Sequence, residues 1–67
     1  MVDRGDIERD LALLERELAH EQRRHAVAAT EGSEREIHLS LAELHLEAAL
    51  LRDRLALIYD RQDELTG

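Results

Sequence analysis

Apolar residues recur along this chain at alternating intervals of four and three, the heptad spacing of helices that pack in bundles or coiled coils. The first run covers residues 7–18 and the second covers residues 37–58. We expect these residues to form the core seam of the fold and of its oligomer. The predicted seam consists of Ile7, Leu11, Leu14, Leu18, Ile37, Leu41, Leu44, Leu51, Leu55 and Ile58.

The segment IHLSLAELHL, residues 37–46, also alternates apolar and polar residues, as a β-strand does. The sustained heptad and the absence of a turn residue between Ser33 and Thr66 favour a helix instead. In a helix, a second stripe lies roughly opposite the seam, and it consists of Leu39, Leu46, Leu50 and Leu57. Because a helix that is apolar on two faces is normally buried between neighbours, we predict that this stripe binds a partner helix.

Capping signals divide the chain into two helices. Asp6 is the predicted N-cap of the first helix, and Gly32 is predicted to end that helix in the left-handed conformation. Ser33 and Glu36 form a capping box that opens the second helix. These signals predict helix 1 at about 6–30, a turn at about 31–33 and helix 2 at about 34–65. Since so short a turn joins antiparallel helices, residues 1–67 are predicted to form one all-α hairpin domain, closed within the chain or by exchange of helices between chains.

Alanine also repeats with a period of seven, one position after the first residue of each heptad. Its six occurrences are Ala12, Ala19, Ala26, Ala42, Ala49 and Ala56. Small side chains on this flank allow a neighbouring helix to approach closely. Alanine is also a good helix former on a half-exposed flank, and the sequence leaves both interpretations open.

The short length of the chain favours self-association. Domains of about this size usually need disulfides, a metal or oligomerisation, and this chain of 67 residues contains no cysteine. A dimer of hairpins would form a four-helix bundle and bury the seam. The expected partners are therefore further copies of the chain, as a homodimer or higher oligomer, together with a partner helix on the second stripe.

Charge and composition exclude several classes of partner. The net charge of −7, with 16 acidic residues and 9 arginines, disfavours binding to nucleic acid or to anionic membranes. No apolar run approaches the length of a membrane span and the first residues are polar, so we expect a cytoplasmic protein. Lys, Asn, Cys, Pro, Phe and Trp are absent, a composition that fits either a GC-rich genome or an artificial bundle whose purpose is assembly.

The histidines are the candidate chemistry. If the chain folds back near residues 31 and 32, Glu21, His25 and His38 converge, and with His45 they are the residue types that bind zinc. Alternatively, polar residues in the seam only set register and oligomer state. No cysteine, lysine or glycine-rich phosphate loop supports catalysis. The sequence therefore favours a non-catalytic oligomerisation or protein-interaction module, with a zinc-binding helical bundle as the alternative.

Overall fold

Two helices make up almost the whole structure, a computed structural model that describes residues 3–66. Helix α1 spans Arg4–Ala28 and helix α2 spans Gly32–Thr66, and residues 29–31 connect them. The start of α1 is bonded to the end of α2 through Arg9 and Asp60, and the end of α1 to the start of α2 through Gln22 and His38. The described residues therefore form an antiparallel hairpin, which confirms the predicted all-α class and hairpin topology.

The first helix begins earlier than the capping signals predict. Asp3 is the N-cap: its backbone is extended, and its carboxylate accepts a hydrogen bond of 2.9 Å from the N–H of Gly5. The prediction that Asp6 is the N-cap was therefore wrong. Asp6 lies in the first turn, where its carboxylate accepts a hydrogen bond of 2.7 Å from Arg9. Its negative charge there interacts favourably with the positive end of the helix dipole.

The first helix also ends earlier, at Ala28, and without a left-handed residue. Ala29 is the C-cap in an extended conformation, and Gly32 has no positive φ but begins α2. The guanidinium of Arg35 donates hydrogen bonds to the carbonyls of Ala26, at 3.3 Å, and Ala29, at 3.1 Å. Because a side chain of α2 satisfies these carbonyls, the Gly32 terminator is not needed. Ser33 consequently lies inside the first turn of α2, not before it.

Alanine forms the contact between the two helices. The six periodic alanines are each at most 2% exposed, and among the described residues no large side chain is fully buried. Gly5 extends this series by one heptad, and it is buried at the position where an added Cβ would lie 3.3 Å from the carbonyl oxygen of Ala56. The seven-residue period then places Ala12 level with Ala49 and Ala19 level with Ala42. The interpretation of these alanines as a close-packing flank is confirmed, and we call them, with Gly5, the alanine seam.

The predicted leucine seam does not lie between the helices of the hairpin. Nine of its ten residues are 37–60% exposed, and Leu11 is half-buried. The reason is that alanine and leucine share the same seven-residue period, and the smaller side chain permits the closer approach of the two backbones. The leucines are thereby turned outward and are not the core within one chain, and their role as the seam of an oligomer stays a prediction.

Candidate interaction surface

Polar pairs border the alanine seam on one side. Arg52 donates a hydrogen bond of 3.1 Å to Glu8, and Nδ1 of His45 lies 2.7 Å from a carboxylate oxygen of Glu15. One heptad further, Nδ1 of His38 donates to the side-chain oxygen of Gln22, also at 2.7 Å. The α1 member of each pair stands four residues before a residue of the alanine seam, and so does each α2 member. At about 100° per residue, this position borders the same side of the seam in both helices.

A second set of pairs borders the other side of the seam. Arg9 donates a hydrogen bond of 2.9 Å to Asp60, and Arg16 forms an ion pair with Asp53. Hydrogen bonds to Asp6, with the larger effect, and to Asp60 raise the pKa of the Arg9 guanidinium, so Arg9 stays protonated. The same register places Leu46 opposite Arg23, where a third carboxylate would otherwise stand. Both sets of pairs are partly exposed to solvent, so they fix the register of the helices more than they stabilise them.

The outward-turned leucines and isoleucines of the predicted seam share one face of the hairpin. Each stands one residue before or two residues after a position of the seven-residue alanine repeat. A residue one position before the repeat lies about 100° from the seam, on the side of the Glu8–Arg52 pair. A residue two positions after the repeat lies about 160° from the seam on the same side, so it faces almost directly away from the other helix. We call this surface the leucine face. It consists of Ile7, Leu11, Leu14, Leu18, Ile37, Leu41, Leu44, Leu51, Leu55 and Ile58. Both helices contribute, so the face runs along the hairpin.

The second stripe lies on the opposite face, beside the Arg9–Asp60 pair. Leu50 and Leu57 each follow a seam alanine by one residue, and Leu39 and Leu46 each precede one by three. Leu46 is half-buried, whereas the other three are exposed. Two exposed residues of α1, Leu13 and Val27, occupy the same side. The hairpin therefore presents apolar side chains on both of its faces.

The structure brings together two of the three predicted metal ligands. The rings of His25 and His38 are stacked, with centroids 5.4 Å apart and planes inclined by 28°. Glu21 does not join them, because its carboxylate faces Arg24 of the same helix at 3.9 Å. Within residues 3–66, no group of three or more histidine, aspartate or glutamate side chains is placed to hold a metal ion.

The polar pairs were not predicted, although the sequence contains a signal for them. Acidic or amide residues repeat every seven positions at Glu8, Glu15 and Gln22, and basic residues do so at His38, His45 and Arg52. Two such repeats on antiparallel helices form all three pairs in only one register. His45, the further zinc ligand that the sequence suggests, lies against Glu15 in one of these pairs.

No family model, curated protein or solved structure matches this chain. In the part of the chain that the structure describes, neither helix is long and apolar enough to cross a membrane.

Proposed function

We propose that this protein is a non-catalytic self-association module in which the leucine face of one hairpin packs against the leucine face of a second copy. The product is a four-helix bundle built from two hairpins. The single observation that supports the proposal most is the division of the apolar side chains. The alanines lie inside the hairpin, and ten leucines and isoleucines lie together on one face outside it.

The alanine seam alone is a weak source of stability. Fixing the backbone of a residue costs about 1–2 kcal/mol, and an alanine side chain has only one methyl group to bury. Fully burying a leucine or isoleucine contributes about 1.5–3 kcal/mol relative to leaving it exposed. The ten side chains of the leucine face are roughly half exposed in the hairpin. Covering them would contribute on the order of 10 kcal/mol per chain before the cost of association.

The polar groups between the leucine face and the alanine seam are compatible with burial because they are already paired. Glu8 is paired with Arg52, Glu15 with His45, and Gln22 with His38, each across the two helices. No charge from a partner is needed to satisfy these groups. An uncompensated charge would oppose burial strongly, whereas a paired one costs far less.

A second copy is the partner whose chemistry the leucine face fits. The face consists of leucines and isoleucines in heptads, and heptad leucines on another helix are the surface that packs into them. The chain presents such a surface itself, on both helices. An exposed apolar surface of this extent is typical of an association site in a protein that is otherwise strongly charged.

The experiment that tests the proposal is a mass measurement over a range of concentrations. We expect sedimentation equilibrium or native mass spectrometry to show a dimer or a multiple of a dimer at micromolar concentrations. A helical protein that stays monomeric up to hundreds of micromolar would contradict the proposal. Circular dichroism on the same samples separates a folded monomer from an unfolded one.

A further inference from the structure

We infer that two hairpins associate about a two-fold axis that passes beside Leu14 and Ala48, with their connecting loops at opposite ends of the bundle. This arrangement depends on the proposed self-association, and it adds which residues of the two copies meet. In it, α1 packs on α1 of the second copy and α2 on α2, each pair antiparallel. Two features support it: the register of the hairpin, and the order of residue types along the leucine face.

The polar pairs define which parts of the two helices lie at the same height. Glu15 is bonded to His45 across the hairpin, and Gly5 lies against Ala56. Leu14 directly precedes Glu15, and it therefore lies level with the turn of α2 that follows His45. That turn contains Ala48. A single axis perpendicular to the helices can consequently pass beside both residues.

Helix α2 is symmetric in residue type about Ala48. Leu44 and Leu51 stand four residues before it and three after it, and Leu41 and Leu55 stand seven residues away on either side. Beyond them, isoleucine occurs at both ends of the face, at residues 37 and 58. When α2 lies antiparallel on a second α2, every leucine meets a leucine and every isoleucine meets an isoleucine. Ala48 lies on the axis, where a small side chain lets the two helices approach closely.

Helix α1 shows the same symmetry about Leu14 over a shorter length. Leu11 and Leu18 stand three residues before it and four after it. One step further out, the symmetry ends because Ile7 on one side corresponds to Glu21 on the other. The antiparallel arrangement thus places one polar residue of each chain, Glu21, against an apolar residue of the second copy, near the rim.

The competing arrangement, with both loops at the same end, fits less well. In it, α1 packs on α2 of the second copy. Residues of α1 and α2 that lie level with each other within one hairpin then meet across the two copies. Glu21 would then face Leu41, and His25 would face Ile37, so each chain would place two polar side chains against apolar ones. Burial of polar groups without partners costs free energy, and the antiparallel arrangement has fewer of them.

Cysteine cross-linking tests the position of the axis, because the natural chain has no cysteine. We expect Ala48→Cys to form an interchain disulfide under mild oxidation, since residues on a two-fold axis meet their own copies. Ile37→Cys is the matched control. It should not cross-link alone, but it should do so in the Ile37→Cys/Ile58→Cys double variant. Residues 37 and 58 of one chain lie about 30 Å apart along the helix, at about 1.5 Å per residue, so a disulfide there joins two chains.

A distance measurement tests the orientation without requiring a disulfide. Glu31 is exposed in the connecting loop, and a spin label attached to Glu31→Cys reports the distance between the two loops. We expect about 50 Å, from roughly 34 residues of helix at about 1.5 Å each. A dimer with a loop-to-loop distance under about 25 Å would overturn the antiparallel arrangement and leave self-association intact. A monomer would overturn the proposed function, and the arrangement with it.

Discussion

Leu50 and Leu51 are neighbours in the chain and almost equally exposed, at 57% and 58%, yet they belong to two different apolar surfaces of α2. Their side chains point in directions about 100° apart around the helix. Leu50 follows the seam residue Ala49 by one position and belongs to the second stripe. Leu51 follows it by two positions and belongs to the leucine face. The two residues share helix propensity, depth and distance from the chain ends, so they form a matched pair for mutagenesis.

The first prediction uses this pair. Leu51→Glu should dissociate the dimer or weaken it by at least a factor of 100, because it places a carboxylate in the interface between leucine faces. Leu50→Glu should leave the dimer mass unchanged. Sedimentation velocity at a fixed concentration measures both variants. If Leu50→Glu dissociates the protein and Leu51→Glu does not, the association uses the second stripe, and the proposed interface is on the wrong face.

The second prediction concerns the two glycines of the described residues. Replacing each with alanine should change the free energy of unfolding in opposite directions. A Cβ at Gly5 would collide with the carboxylate of Asp60 and press on the carbonyl of Ala56. Gly5→Ala should therefore lower the free energy of unfolding by about 1 kcal/mol, although alanine is ordinarily the better helix former. Gly32 has open space around it and no positive φ, so Gly32→Ala should raise the free energy of unfolding by up to about 1 kcal/mol. Urea denaturation at equal protein concentration measures both changes.

The third prediction tests the alanine seam. Ala19 is 1% exposed, and Ala19→Leu would force the helices apart where Ala42 approaches from α2. We expect a loss of about 1–3 kcal/mol in the free energy of unfolding, or a rearranged hairpin. Ala28→Leu is the control, because Ala28 is exposed in the last turn of the same helix, and its effect should stay within about 0.5 kcal/mol. Equal effects of the two substitutions would mean that the seam is not closely packed.

The fourth prediction concerns the end of α1. Arg35 donates hydrogen bonds to the carbonyls of Ala26 and Ala29, and Arg35→Met keeps much of the aliphatic stem but removes those donors. We expect about 1 kcal/mol of destabilisation and faster hydrogen exchange in the last turn of α1. Arg54→Met, on the exposed surface of α2, controls for the lost positive charge. Unchanged exchange rates in that turn would show that solvent satisfies these carbonyls equally well.

Much of the fold could be predicted from periodicity, whereas the helix ends could not. The heptads and the short connection between them were sufficient to predict two antiparallel helices. The predicted caps failed at Asp6 and Gly32 because the groups that replace them are Asp3 and Arg35. Arg35 is six to nine residues away along the chain from the carbonyls it binds, and only the folded hairpin brings it to them. Local capping rules do not include such contacts.

The candidate site shows a similar limit. Leucine and alanine repeat with the same period, and periodicity alone does not determine which of them faces the other helix of the chain. The interhelical pairs remove the ambiguity, because Glu15 meets His45 on one side of the alanines and Arg16 meets Asp53 on the other. The sequence also indicated the proximity of His25 and His38, since both lie near the turn. It could not show that Glu21 faces Arg24 instead.

The seven-residue repeat of the alanine seam also makes the hairpin adjustable in length. From Gly5 to Ala19, each heptad of α1 meets one heptad of α2 through a contact between small residues. Inserting seven residues into each helix at the same height would add one such unit and keep every face in place. The hairpin would grow by about 10 Å per inserted pair, at about 1.5 Å per residue, and it could serve as a molecular spacer of chosen length.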